Sequence, residues 1–357
     1  MWRSETYLDH PQAAAMLDRM REDHSDIRVD GPEGQDWAFP LHYGQVEARR
    51  EAGRIRLSVR ADDETRLAYV KMEVAGHAAE ILGSTGGICW SGQTGVGSVP
   101  AFFREITVQV ATRITPHMQR IRFAAQDVGR YAVGGLHVRI LLPPAERAPV
   151  WPTVGPDGLL VWPAGDDALT VRVYTIRAID IETGTIDIDF VLHPGVDTPA
   201  ARFVERAKTG QVVGMIGPGG GEVPQAADLL LLGDDTALPA ISRILESLPP
   251  SSRARVFLEV DGPADRLPLP GARAEITWLY RYGRPAGTAG LLSAALRGLT
   301  PPVPGDDLYV WAGCEFSDFR EIRRIVRKDW GLGKDRQLIV SYWRRGAGSD
   351  EAAPSAD

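Results

Sequence analysis

The sequence predicts a multi-domain protein in which a small N-terminal α+β domain precedes an antiparallel β-barrel and a C-terminal α/β domain with a parallel sheet. At 357 residues the chain is longer than one hydrophobic core usually organises. Six glycines lie within residues 83–100, which favours a flexible linker over a helix or a packed strand. The pattern of apolar residues then changes twice. The predicted parts are residues 1–82 (small α+β domain), 83–100 (linker), 101–224 (β-barrel domain), 225–346 (α/β domain) and 347–357 (disordered tail).

The N-terminal part combines helical and strand patterns. Leu17 and Met20 recur at helical spacing after Pro11, which suits a first helical turn. Residues 46–59 alternate between apolar and polar side chains, and a second helical stretch covers residues 62–82. The expected order is a helix, three strands and a helix. The histidines of this part have no metal-ligand spacing, so we expect structural or surface roles for His10, His24, His42 and His77.

The remaining chain divides into two strand patterns. Residues 102–217 hold short β-branched segments, such as VRVYTIRAI and GTIDIDFVLH, with turn residues between them at regular intervals. This pattern is typical of a closed antiparallel barrel. From Asp228 the apolar runs become continuous, as in LLLLG and LYVWAG, and helical segments separate them. Such runs predict a parallel sheet that is buried on both faces and binds ligands at the carboxyl ends of its strands.

Composition excludes several classes of function. The net charge of −7 argues against a general nucleic-acid binder. No apolar stretch is long enough to span a bilayer and the N-terminus has no signal-peptide pattern, so we expect no integral membrane association and a cytoplasmic location. The two cysteines, Cys89 and Cys314, match no metal spacing. Residues 320–346 carry nine Lys/Arg against three Asp/Glu, a field that could attract an anionic ligand, although a solvated helix face would have the same composition.

The segment Arg172-Val-Tyr-Thr175 points to a flavin. Arginine offers a planar fork for a phosphate, and a tyrosine two positions along the strand lies on the same side. Its ring can stack on an isoalloxazine, and the Thr175 hydroxyl can bond the flavin near its redox nitrogen. An exposed strand could show the same residues. The position of the segment in a barrel ahead of a parallel sheet favours FAD.

Two further segments concern phosphate binding. A helix that starts at Pro199, with Thr198 as its N-cap, would offer free backbone N–H groups to a pyrophosphate. The turn Gly233–Pro239 follows the first strand of the α/β domain, where a dinucleotide usually binds. Asp234 and Asp235 occupy this turn and repel phosphate, so we expect tight binding of a nicotinamide dinucleotide here to be unfavourable. The glycines of 217–221 lack a strand–helix frame and a lysine, and we interpret them as an inter-domain turn.

Together, HVRILLPP, RVYTIR, IDFVLH, PAARF, LLLGDDTALPAISRILESLP and the final YWRRG resemble the siderophore-interacting protein family, FAD-dependent ferric-siderophore reductases related to ferredoxin reductases. The resemblance runs from Phe102 to Gly346. It implies no catalytic side chain and no protein-held metal, because the chelator coordinates the iron. It implies FAD contacts from Arg172, Tyr174, Thr175, Asp189, Val191, His193, Pro199, Ala200, Ala201, Thr236 and Trp343.

The resemblance also implies a basic substrate pocket, for which Arg139, Arg344 and Arg345 are candidates together with the other arginines of 320–345. Where the family tends to have Ala-Gly-Glu, this chain has Gly313-Cys314-Glu315, which would place a thiol near the nicotinamide side. Residues 1–82 resemble a small bacterial domain of unknown function that also occurs alone, and this likeness implies no chemistry.

The function that follows is electron transfer from NAD(P)H or a ferredoxin through FAD to the ferric iron of a siderophore. A flavin reductase or diaphorase with another acceptor, such as a quinone or a protein, would share every FAD motif. A non-catalytic siderophore-binding protein that kept the fold is a third reading, against which the presence of Arg172 and Tyr174 argues.

Overall fold

The computed structural model describes residues 1–24, 36–51, 53–92, 95–132, 135–145, 147–192, 197–220, 223–270, 274–303 and 305–346. The predicted tail, 347–357, and the predicted FAD contact His193 lie outside the described residues. The chain forms two compact units. The first comprises Met1–Phe103 with Pro143–Leu169, and the second comprises Arg104–Leu142 with the chain from Thr170 onward.

The first unit is a five-stranded antiparallel sheet with two helices. Its strands are ordered β2-β3-β4-β1-β5. The apolar sides of the helices and of the sheet form one core, in which Met16, Leu57 and Val70 are fully buried. The Asp63 side chain accepts a hydrogen bond from the Arg66 N–H and starts the second helix. The elements are β1 (Trp2–Leu8), α1 (Ala13–Asp23), β2 (Trp37–Leu41), β3 (Gly44–Glu51), β4 (Arg54–Ala61), α2 (Glu64–Leu82) and β5 (Ser91–Gly92).

The predicted helix–three strands–helix order needs a correction, because β1 precedes the first helix. Its register places the buried side chains Ser4, Thr6 and Leu8 on one face, so only Leu8 of the three gives an apolar signal. The alternation that strand prediction depends on is therefore weak in this segment.

The second unit begins with a closed six-stranded barrel, as the sequence predicts. Its strand order is β11-β12-β7-β6-β13-β8. Alternate residues point inward, so Ile121 and Phe123 pack with Ile186, Ile188 and Phe190 in the barrel core. Along the chain the elements are β6 (Phe103–Thr115), β7 (Met118–Ala125), β8 (His137–Leu142), the hairpin strands β9 (Thr153–Val154) and β10 (Leu160–Val161) of the first unit, β11 (Thr170–Asp180), β12 (Thr185–Val191), α3 (Pro199–Arg206) and β13 (Val212–Gly219).

The glycine-rich segment 83–100 is part of the first unit, which corrects its interpretation as a linker. Ile88 and Trp90 are buried in that unit's core, and β5 pairs with β1. The Trp90 indole N–H donates to the Asp157 carbonyl at 2.7 Å, and the Trp90 backbone N–H donates to the Pro156 carbonyl at 3.0 Å. The hairpin that lies between β8 and β11 in the chain thus folds with the first unit, although the predicted barrel domain included it.

The second unit continues as a parallel sheet with strand order β16-β15-β14-β17-β18. The central strand β14 carries the run LLLL, whose four side chains are all buried, as expected for a strand covered on both faces. The sequence predicts the first four strands but not the edge strand β18. The elements are β14 (Asp228–Gly233), α4 (Leu238–Ser247), β15 (Arg253–Val260), β16 (Ala274–Tyr280), α5 (Leu291–Arg297), β17 (Leu308–Glu315), α6 (Phe316–Arg324) and β18 (Gln337–Trp343).

Short helical turns complete the fold: 3₁₀ turns at Val128–Ala132, Gly165–Asp167, Pro263–Asp265 and Lys334–Arg336, and a π-helical turn at Ile325–Asp329. Within the described ranges, every helix is too short or too polar for a membrane span.

Candidate flavin site

Strand β11 presents the three predicted flavin ligands on a rigid part of the barrel. Arg172 and Tyr174 share one face of the strand, and Thr175 lies on the other. Both neighbouring strands hold β11, since it pairs with β8 from Thr170 to Thr175 and with β12 beyond Ile176. The segment 172–175 is thus bonded to β8 along one edge, and the pairing with β12 begins directly after it, so its backbone is held while its other edge is left for a ligand.

The Arg172 guanidinium is half-buried, and in the described part of the chain no carboxylate lies within ion-pair distance of it. Its hydrogen bond goes to the Val171 carbonyl at 2.6 Å. The Tyr174 ring lies 4.4 Å from the Phe190 ring and packs against the barrel core. Burial raises the pKa of Tyr174 to about 12, so the phenol is neutral at physiological pH. A guanidinium without a carboxylate partner and an immobilised ring fit a phosphate and an aromatic ligand.

Asp189 and Val191 lie near the end of β12. The Asp189 carboxylate receives two hydrogen bonds from the Arg120 guanidinium, at 2.6 and 2.8 Å, and its side chain is fully buried. The sequence gives Asp189 as a cofactor contact, but its carboxylate is occupied by Arg120, so only its backbone is left for such a contact. The half-buried Val191 is followed by Leu192, whose N–H donates to the His117 carbonyl at 2.8 Å.

Helix α3 begins as the sequence predicts. The Thr198 hydroxyl accepts the N–H of Ala201 at 3.2 Å, which confirms Thr198 as the N-cap. Pro199 is the first helical residue, and Ala200 is buried beneath the turn. Pro199 has no N–H and the Ala201 N–H is bonded to Thr198, so the Ala200 N–H is the group of this first turn that is left for a ligand.

Thr236 and Trp343, the two predicted contacts from the α/β domain, both bind Asp234. One Asp234 oxygen accepts the N–H and the hydroxyl of Thr236, at 2.9 and 2.5 Å. The other accepts the Trp343 indole N–H at 2.8 Å and the Glu315 N–H at 3.0 Å. From the sequence, Asp234 is expected only to repel phosphate. In the structure it joins the first turn of the sheet to the ends of β17 and β18.

The carboxyl edge of the sheet is acidic. Asp235, Glu259 and Asp318 are buried there, and the only cation among the described residues that contacts them as an ion pair is Arg281, 2.7 Å from Asp235 and 3.7 Å from Glu259. Burial raises the pKa of Asp235 to about 6 and that of Glu259 to about 7. Since ligands of parallel sheets bind at this edge, its charge bears directly on which ligands can bind there.

Cys314 does not lie at an open surface. Its side chain is fully buried in the core of the sheet, where burial raises the pKa of the thiol well above its usual value. The sequence analysis expects a thiol near the nicotinamide side. The structure corrects this expectation, because the side chain points between β17 and the helices that cover it.

The predicted substrate-binding arginines lie on exposed positions. Arg139 lies on β8 opposite Val173. The guanidinium of Arg344 lies 4.8 Å from the centre of the Phe316 ring, and the N–H of Arg345 donates to Glu315 at 3.0 Å. The structure places Arg344 and Arg345 just beyond β18 and gives no contact between either of them and Arg139 in its described part.

Two polar residues near Thr175 were not predicted as site residues from the sequence. His137 and Tyr342, both half-buried, form hydrogen bonds that reach the buried Thr175 hydroxyl. Both residues occur in the segments HVRILLPP and YWRRG that carry the family resemblance, but nothing in their spacing indicates that they meet.

The residues present fit a flavin dinucleotide. Among the described residues, strand β11 offers a guanidinium that no carboxylate neutralises, a ring packed against the barrel core and a hydroxyl held by half-buried partners, and α3 offers the Ala200 N–H. Phosphates, an aromatic ring system and a polar ring nitrogen are the chemical groups that this donor set would bind.

Comparison with known proteins agrees with this donor set. Residues 107–222 match the family model of the siderophore-interacting FAD-binding domain, and residues 226–346 match that of the siderophore-interacting protein. The first range holds the barrel strands together with the hairpin that folds with the first unit, and the second holds the parallel sheet.

Individual relatives cover most of the second unit. The ferric vibriobactin reductase ViuB of Vibrio cholerae is 29% identical over 238 residues, which span 65% of this chain and 86% of that protein. The crystal structure of the siderophore-interacting protein SipS from Aeromonas hydrophila is 32% identical and aligns with a TM-score of 0.58, covering 70% of this chain and 94% of that one. A siderophore utilization protein from T. fusca is 31% identical, with a TM-score of 0.58 over 69% of this chain and 94% of that one.

Proposed function

We propose, because this chain belongs to the siderophore-interacting protein family, that it reduces ferric iron in a siderophore by means of bound FAD. The observation that carries the proposal is strand β11, where a guanidinium, an aromatic ring and a hydroxyl that fit a flavin lie on a closed barrel next to a parallel sheet. The relative ViuB is named a ferric vibriobactin reductase, which supports the same chemistry here.

Bound FAD would supply the redox chemistry, since a flavin takes up two electrons and can release them one at a time. In this chain Arg172 and the first turn of α3 would bind its phosphates. Tyr174, held against Phe190, would orient the flavin ring, and the Thr175 hydroxyl would donate a hydrogen bond to it. The Trp343 ring, fixed through its bond to Asp234, would limit access of water to the flavin.

The substrate would be an anionic ferric chelate that docks on the arginines beyond β18. Arg344 and Arg345 are exposed, and stacking on Phe316 holds the Arg344 guanidinium without neutralising it. The protein needs no iron ligands of its own, because the siderophore supplies them. Ferrous iron leaves after reduction because hard oxygen donors hold it less tightly than ferric iron.

The electron donor is either NAD(P)H or a ferredoxin, and the acidic edge of the sheet weighs against tight binding of a dinucleotide. In the turn after β14, Asp234 already accepts the N–H of Thr236 through its side chain and that of Ala237 through its carbonyl. These N–H groups are thus unavailable to a pyrophosphate, and the Asp234 and Asp235 carboxylates in the same turn would repel one. We therefore expect weak binding of NADH and NADPH relative to a protein donor.

The proposal is tested with purified protein, first by its absorption spectrum and then by anaerobic reduction of a ferric chelate in the presence of a ferrous trap. Absorption maxima near about 380 and 450 nm, typical of a bound flavin, together with trapped ferrous iron, would support it. NADH, NADPH and a reduced ferredoxin are compared as donors. A yellow protein that reduces quinones but no chelate would establish the diaphorase alternative. A colourless protein that cannot be loaded with FAD would refute the proposal and favour a non-catalytic binding protein.

Substitution of the docking arginines tests the substrate site separately. The double change Arg344→Ser and Arg345→Ser should raise the KM for an anionic ferric chelate severalfold and flatten its dependence on ionic strength, with FAD content unchanged. The matched control is Arg253→Ser, which removes an exposed charge at the start of β15. An equal effect of the control would show that only net charge matters.

A further inference from the structure

His137 is half-buried and lies between two hydroxyl groups. Its Nδ1 atom lies 3.0 Å from the Thr175 hydroxyl, and its Nε2 atom lies 3.0 Å from the Tyr342 hydroxyl. His137 and Thr175 face each other across the β8–β11 ladder, and Tyr342 comes from β18 at the edge of the parallel sheet. The Tyr342 and Thr175 hydroxyls also lie within hydrogen-bonding reach of each other. The three side chains therefore form one hydrogen-bonded set that joins the sheet to the residue that would contact the flavin ring.

The imidazole ring is held in one orientation. The Tyr342 ring packs edge-on against it at 5.3 Å and 88°. On another side lies Gly220, at φ +70°, where an added Cβ would come within 2.5 Å of His137 Cδ2. A ring flip, which would exchange the two nitrogens, would have to disrupt both hydrogen bonds and this packing.

The protonation states of His137 and Tyr342 follow from their burial. Burial and the neighbouring Arg243 lower the pKa of His137 to about 4, so its imidazole is neutral at physiological pH. Burial raises the pKa of Tyr342 well above its usual value, so its phenol keeps its proton. A neutral imidazole has one N–H and one acceptor nitrogen. His137 therefore accepts a hydrogen bond from one of its two hydroxyl partners and donates a hydrogen bond to the other.

We propose that His137 and Tyr342 are positioning residues that direct the Thr175 hydroxyl hydrogen toward the flavin. The phenol donates to Nε2 rather than to the nearby Thr175 oxygen, and the resulting Nδ1–H donates to that oxygen. The Thr175 hydrogen is then left for an acceptor other than His137 and Tyr342. A phenol is a better donor than an aliphatic hydroxyl, and imidazole nitrogen is a good acceptor, which favours this direction over the reverse. The inference rests on the proposed binding of FAD at β11.

The direction of these hydrogen bonds, which the tautomer of His137 reports, can be measured without FAD. ¹⁵N chemical shifts of the His137 side chain in the apoprotein, assigned by comparison with His137→Gln, distinguish Nδ1–H from Nε2–H. We expect the Nδ1–H form, and a change of tautomer in Tyr342→Phe. A wild-type protein in the Nε2–H form would overturn the proposal, whether or not the protein binds FAD.

The effect on the flavin is read from its affinity and midpoint potential. Tyr342→Phe should weaken FAD binding about twofold to tenfold, the range of one neutral hydrogen bond, and should lower the potential, because the donor to the electron-rich ring is lost. Thr175→Ala should do the same, Thr175→Ser should behave as wild type, and Tyr309→Phe on β17 is the matched control. The double variant with Tyr342→Phe and Thr175→Ala should be no worse than Thr175→Ala alone.

The outcomes separate this inference from the proposed function. Wild-type protein that binds no FAD refutes both. Wild-type protein that binds FAD while Tyr342→Phe leaves its affinity and potential unchanged refutes only the inference. Additive effects of Tyr342→Phe and Thr175→Ala would also refute it, because they would show that Tyr342 acts on the flavin independently of Thr175.

Discussion

Replacement of Arg172 by alanine is the sharpest test of where FAD binds. In the structure this guanidinium is half-buried, and its hydrogen bond goes to the Val171 carbonyl. The alanine variant leaves no buried charge without a partner, so the fold should lose little stability. A charge-assisted hydrogen bond to a phosphate contributes about 1.5–3 kcal/mol. We therefore expect FAD to bind roughly 10- to 150-fold more weakly, since about 1.4 kcal/mol corresponds to a factor of ten.

The assay is titration of FAD into flavin-free protein, followed by quenching of flavin fluorescence, with thermal unfolding of the apoprotein measured in parallel. Arg139→Ala is the matched control, because Arg139 is an exposed arginine on the adjacent strand β8. Its removal should leave the FAD affinity unchanged. An Arg172→Ala variant that binds FAD within about twofold of wild type would refute the assignment of this residue to a phosphate, as would an equal loss in the control.

Three further predictions concern buried groups. Arg120→Met should lower the free energy of unfolding by about 3 kcal/mol, because it leaves the buried Asp189 carboxylate unpaired; a melting temperature equal to that of wild type would contradict this. Burial raises the pKa of Glu259 to about 7, above its ordinary value of 4.5, so stability should fall as pH rises from 4.5 to 7, and Glu259→Gln should flatten that part of a melting-temperature profile. In a thiol titration of the native protein the exposed Cys89 should react and the buried Cys314 should react only after denaturation, so two rapid reactions would place Cys314 at the surface.

The architecture of the second unit is readable from the sequence because its signals are local. The continuous run LLLL gives the central strand β14, and the alternation in residues 185–191 gives a barrel strand with Ile186 and Ile188 inside. The division of the chain into two units cannot be predicted from such local signals. Trp90 bonds Asp157 across 67 positions, and no periodicity shows which distant segments pair. The glycines of 83–100 suggest flexibility, yet two large apolar side chains among them anchor the segment.

Some residues of the site can likewise be predicted from the sequence, and others cannot. Arg172, Tyr174 and Thr175 are identified by residue type at strand spacing, and Thr198 by its place before Pro199. The role of Asp234 depends on Trp343, 109 positions away, and becomes visible only when β14 and β18 lie in one sheet. His137 is missed for the same reason, since both of its partners come from other strands.

The first unit consists of two stretches that are separated in the chain by three strands of the barrel. During synthesis, residues 1–103 leave the ribosome well before Pro156 and Asp157, whose carbonyls accept the two N–H groups of Trp90. Domains generally fold as units as the chain emerges. This unit, however, can complete its core only after the barrel strands β6, β7 and β8 have also emerged, so it cannot finish folding before part of the second unit has been synthesised.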